Sequence, residues 1–82
     1  MSTTKLDIRE WLERGQAHGA THLIVVCDTF DHEDYPVFVK PEEIAREVYE
    51  RYNGKNMQRV MEVYSINKDW ESQLDEFRAF NF

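Results

Sequence analysis

The chain has 82 residues, is rich in aromatics (two Trp, four Tyr, five Phe), and carries sixteen acidic against ten basic side chains, a net charge of -6. That length allows one small domain, residues 1–82, without room for a large cleft set in a separate scaffold. Acidity disfavours direct contact with nucleic-acid phosphates, which needs a basic footprint, and leaves a basic protein partner, a cation or simple solubility.

Thr3 or Thr4 is placed to cap a first helix, with Asp7 in its opening turn. Ile8, Trp11, Leu12 and Gly15 recur at i, i+3, i+4 and i+7, which predicts a helix over about residues 6–18 whose apolar stripe holds one small residue. Gly19 suits the left-handed stop that ends it, and His18 beside it reads as a capping residue rather than a ligand.

Residues 21–28, THLIVVCD, are apolar on both alternating sets, Leu23/Val25/Cys27 and Ile24/Val26. A strand with one wet face would alternate, so this one is expected to be central and covered on both sides, with Cys27 in the core. Cys27 is the single cysteine, which excludes an intramolecular disulfide. The opening MSTTKLDIREW lacks an apolar signal region, and both features point to a reducing cytoplasm. The run from Leu23 to Cys27 is also far too short to cross a bilayer, so no membrane partner is expected.

Residues 35–39, YPVFV, read as a second strand, and as an edge, because Pro36 has no N–H for a ladder. Pro41, Glu42 and Glu43 suit the first turn of a second helix, whose stripe is Ile44, Ala45, Val48, Tyr49 and Tyr52 and whose stop is Gly54. Residues 57–66, MQRVMEVYSI, read as a third strand. Asn67 or Asp69 then caps a last helix over about residues 68–79, with Trp70, Leu74 and Phe77 on one side.

The expected fold is thus α+β, with element order α-β-β-α-β-α and a three-stranded mixed sheet of strand order 2-1-3 packed with three helices. The first two strands form an antiparallel hairpin, and a right-handed crossover returns the third parallel to the second. The helices share one face of the sheet or split across both; if they share one, a second subunit must cover the other.

Between the first two strands lies DTFDHEDY. Asp28, Asp31, His32, Glu33 and Asp34 are the candidate binding residues, and Asp28, Asp31, His32 and Asp34 are the candidate ligands for a divalent metal. The plain alternative is a solvated hairpin loop whose aspartates make turn hydrogen bonds, with Phe30 and Tyr35 folded back onto apolar surface. An EF-hand is excluded, because no Gly sits mid-loop and no Glu follows at the required offset. Locally, LIVVCD is similar to the haloacid-dehalogenase phosphatases, which place an aspartate after an apolar strand. Asp28 and Asp31 are spaced too widely for that pattern, its turn glycine is missing, and the chain is too short for the domain, so no phosphatase chemistry follows. Nor does a nucleophile: alternation sends Cys27 to the opposite face from His22 and Asp28, and a neighbouring carboxylate raises a thiol's pKa.

Taken whole, and on the run VVCDTFDHEDYPVFV, the chain resembles small bacterial and phage proteins of unknown function. The resemblance implies no catalytic or binding residue. The expected function is a non-catalytic cytoplasmic protein-binding or regulatory module, self-associating as a homodimer, with no cofactor. The alternative is a small divalent-metal-dependent enzyme using the acidic loop 28–34.

Overall fold

In the computed structural model, which describes residues 3–76 and 79–82, the elements run α1 (Lys5–Ala17), β1 (His22–Asp28), β2 (Glu33–Val39), α2 (Ala45–Tyr52), β3 (Gln58–Ser65) and α3 (Trp70–Leu74). The strands form one sheet in the order β2-β1-β3. The most apolar strand is therefore central, and Pro36 lies on an edge, opposite Val25. Both neighbours pair with β1 antiparallel. The expected mixed sheet is corrected to an antiparallel one. β2 and β3 run the same way, but β1 always lies between them, so their common direction never produces a parallel pair.

α1 starts with a capping box. The Asp7 N–H donates to Thr4 Oγ1 at 3.2 Å, and the Thr4 N–H donates to the Asp7 carboxylate at 3.1 Å. Gly19, at φ 77°, ends it as expected, and Ile8, Leu12 and Gly15 form its buried face. α2 begins later than Pro41. The Lys40 N–H donates to Glu43 Oε1 at 3.0 Å, and the Glu43 N–H donates to the Lys40 carbonyl at 2.9 Å, so residues 41–43 form a turn ahead of the helix. Ile44 becomes the exposed N-cap and leaves the predicted stripe.

α3 is much shorter than expected. Asp69 caps it, accepting from the Ser72 N–H at 3.0 Å, but the helix stops at Leu74. Its last turn carries no basic residue, and Asp75 and Glu76 follow, charges that oppose the negative end of a helix. Phe77, the last member of the predicted stripe, lies outside the described residues. Residues 79–81 lie along the outer edge of β3, where Val63 and Phe80 form an isolated parallel bridge.

The helices divide between the two faces. Ile8 and Leu12 of α1 and Leu74 of α3 bury against Leu23, Val25 and Tyr64. Ala45 and Val48 of α2 bury against Ile24, Val26, Val60 and Val63 on the other side. The two-sided apolarity of β1 is thus met within the chain. Among the described residues no helix is long and apolar enough to cross a membrane.

Candidate functional site

The acidic run does not stay together. Glu33 and Asp34 belong to β2, which leaves residues 29–32 as the connection. Asp28 shapes that connection. Its Oδ1 accepts from the Phe30 N–H at 2.9 Å and the Asp31 N–H at 3.4 Å, while its carbonyl accepts from the His32 N–H at 2.7 Å. This is a side chain imitating a backbone turn. Asp31, His32 and Glu33 are exposed.

Asp34 stands opposite Cys27, one residue out of phase with Asp28, and so on the other face of the sheet. There it accepts a hydrogen bond from Thr3 Oγ1 at 2.6 Å. Among the described residues no three His, Cys, Asp or Glu side chains gather closely enough to hold a metal ion. Phe30 is 70% exposed rather than folded back, whereas Tyr35 does pack on the α2-side core, with its hydroxyl bonded to Gln58 Nε2.

Cys27 departs from the buried position expected of it: it is half-buried and belongs to neither core. Asp34 of β2 and Arg59 of β3 flank it across the sheet. Burial pushes its thiol pKa up, Asp34 and Asp28 add to the shift, and Arg59 opposes it. Such a thiol keeps its proton at neutral pH and is a poor nucleophile. His22 lies at the opposite end of β1 from Asp28, with Nδ1 2.9 Å from Thr21 Oγ1.

A different feature emerges on the α1 and α3 side: an open cleft of about 580 Å³. Its floor is apolar, formed by Ile8, Val25, Met61 and Leu74 beside Tyr64. Its rim is charged, with Asp34, Glu62 and Glu76 against Lys5 and Arg59. Of the predicted binding residues, Asp34 alone reaches it.

A bulge builds the cleft. Val25 faces Glu62 and Val26 faces Val60, so Met61 is an extra residue in β3. The extra residue breaks alternation and brings the consecutive Met61 and Glu62 to the same cleft. The signal in the sequence was VMEV: two apolar positions in succession, then a charge, within a strand otherwise read as regular.

Two tethers bracket the opening. Thr3 bonds to Asp34, and Lys5 Nζ lies 3.2 Å from Asp75 Oδ1. Inside, Tyr64 is 1% exposed, and its phenol pKa is driven far up, first by burial and then by the Glu62 and Glu76 charges. It keeps its proton and serves as a donor. The arrangement can take an apolar group out of water and hold a positive one at the rim.

Comparison with protein-family models, curated proteins and solved structures found no match to this chain.

Proposed function

We propose that the protein is a non-catalytic binding module whose cleft takes an apolar side chain of a basic protein segment. The observation that carries this is the pairing of an apolar floor with three carboxylates on the rim, in a chain of net charge -6. A volume of about 580 Å³ suits one or two side chains. Of the two rim cations, Lys5 is already paired with Asp75, so the charge left to recruit a partner is mainly negative. The proposal needs no second copy, because both sheet faces are covered within the chain.

Methionine methyl resonances provide the test. Met61 lies on the cleft floor, while Met57, 60% exposed in the turn just ahead of β3 and outside the cleft lining, is an internal control. Short peptides carrying one leucine between lysines should shift Met61 and leave Met57 in place. Binding should weaken with added salt and be lost in Met61→Glu. Equal shifts at both methyls, or none at Met61, would overturn the proposal.

A further inference from the structure

Charge is unevenly spread along the cleft, and the sheet register shows how. At the hairpin end Arg59, Cys27 and Asp34 stand side by side. Glu62 opposite Val25 forms the next row, and Tyr64 opposite Leu23 the one after. Cys27 is half-buried, whereas Val25 and Leu23 are closed to water, so the rows lead from the mouth inwards. At the mouth the charges of Arg59 and Asp34 offset each other. Further in, the cleft is lined by two carboxylates, Glu62 and Glu76, beside the Tyr64 phenol.

Each carboxylate is brought there by a separate part of the fold. The bulge at Met61 turns Glu62 into the cleft, on the same side of β3 as Tyr64 two residues on. Glu76 comes from the α3 wall. Its N–H donates to the Gln73 carbonyl at 3.1 Å, and the Gln73 side chain is bonded to Ser65, the neighbour of Tyr64. Asn81 Nδ2 lies 3.4 Å from Glu76 Oε1. Both carboxylate charges act on the Tyr64 phenol, adding to the effect of burial. The ion pairs among the described residues are Lys5–Asp75, Arg9–Glu71 and Arg51–Glu43, and they engage neither Glu62 nor Glu76.

We infer that the inner end of the cleft is a lysine seat: the segment that lays an apolar side chain on the floor puts the ammonium of a lysine between Glu62 and Glu76, beside the Tyr64 hydroxyl. The inference rests on the binding function proposed above and names the cation that the cleft reads. An ammonium is a compact charge with three donors, which suits two carboxylates and a phenol oxygen converging from two walls. A guanidinium is a flat fork that matches the two oxygens of one carboxylate and cannot face both walls at once. The lysine stem adds apolar surface to the floor beside Met61 and Leu74.

The experiment titrates the full chain with two blocked peptides of equal charge, lysine-leucine-lysine and arginine-leucine-arginine, and follows the Met61 methyl. The arginine peptide should bind about fivefold more weakly, although long-range attraction is the same for both. Glu62→Gln and Glu76→Gln should each weaken the lysine peptide about tenfold or more, the loss expected for a charged hydrogen bond. Glu50→Gln, the same charge change on an exposed position of α2, should alter its affinity less than twofold. Equal affinity for the two peptides, or Glu62→Gln and Glu76→Gln no worse than Glu50→Gln while Met61 still shifts, would overturn the lysine seat and leave the binding function standing. No shift of Met61 with either peptide would overturn both.

Discussion

Gln73 of α3 acts as a one-residue strand beside Ser65. The Ser65 N–H donates to Gln73 Oε1 at 2.7 Å, and Gln73 Nε2 donates back to the Ser65 carbonyl at 2.9 Å. Nε2 also reaches the Asp69 carbonyl at 2.9 Å, which ties the helix cap to the strand end. Gln73 is 3% exposed, so the pair lies out of reach of water. Gln73→Leu leaves a buried donor and a buried acceptor unpaired and should cost about 2 kcal/mol or more. Gln73→Glu should cost at least as much at neutral pH, with part recovered on acidification as the new carboxyl regains a proton to donate. Urea unfolding midpoints at constant slope measure both; losses below about 0.5 kcal/mol would mean that Ser65 finds other partners.

Gly15 lets α1 approach the sheet. A Cβ there would sit 2.8 Å from Ile66 Cδ1 and 2.9 Å from Phe38 Cδ1. Alanine gains about 1 kcal/mol of helix propensity over glycine, but overpacking typically costs about 1–3 kcal/mol. Both contacts are side-chain atoms, so the site yields in part. Gly15→Ala should be net destabilising by about 1 kcal/mol, and Gly15→Val by clearly more. Stabilisation by alanine would show that Ile66 and Phe38 move aside freely.

Acid should remove stability in two separate windows. Burial and then the Lys68 charge lower the His22 pKa below its ordinary 6.5. The unfolded chain therefore binds more protons, so the His22 contribution is complete above pH 6.5 and is lost as pH falls from there through the folded value. The Glu43 carboxyl is held below 4.5, chiefly by the Lys40 N–H, so its contribution is present above pH 4.5 and lost only beneath it. Melting temperature against pH should fall first below 6.5 in wild type, and His22→Gln should flatten that first decline alone. An unchanged profile in the variant would assign the decline to other groups.

The strand order was legible because β1 is apolar on both alternating sets while Pro36 bars β2 from the middle. The Gly19 stop follows from local chemistry and was equally readable, and the two caps were narrowed to Thr3 or Thr4 and to Asn67 or Asp69, of which Thr4 and Asp69 serve. Two features were not legible. The end of α3 is set by the charges of Asp75 and Glu76 and by the pairing of residues 79–81 with Val63, a contact no periodicity encodes. The cleft depends on the bulge at Met61, whose trace in the sequence, VMEV, marks an irregular strand but becomes a bulge at a defined residue only through the register against Val25 and Val26. The acidic run looked like one site because its residues adjoin in sequence, yet a strand sends neighbours to opposite faces.

That separation yields a test on the loop itself. Asp28 uses Oδ1 as an acceptor for the Phe30 and Asp31 amides, and Asp34 is bonded to Thr3 across the sheet. What Asp28 supplies is an oxygen, not a charge. Asp28→Asn keeps the oxygen and should leave stability within about 0.5 kcal/mol of wild type, while Asp28→Ala removes it and should cost about 1 kcal/mol. A metal ligand would behave differently, because asparagine loses the charge that binds the cation. Millimolar Mg²⁺, Ca²⁺, Mn²⁺ or Zn²⁺ should therefore leave the melting temperature unchanged in wild type and in both variants. A rise in wild type that Asp28→Asn abolishes would show instead that the loop rearranges around a cation, since a ligand bound only by the native state must stabilise it.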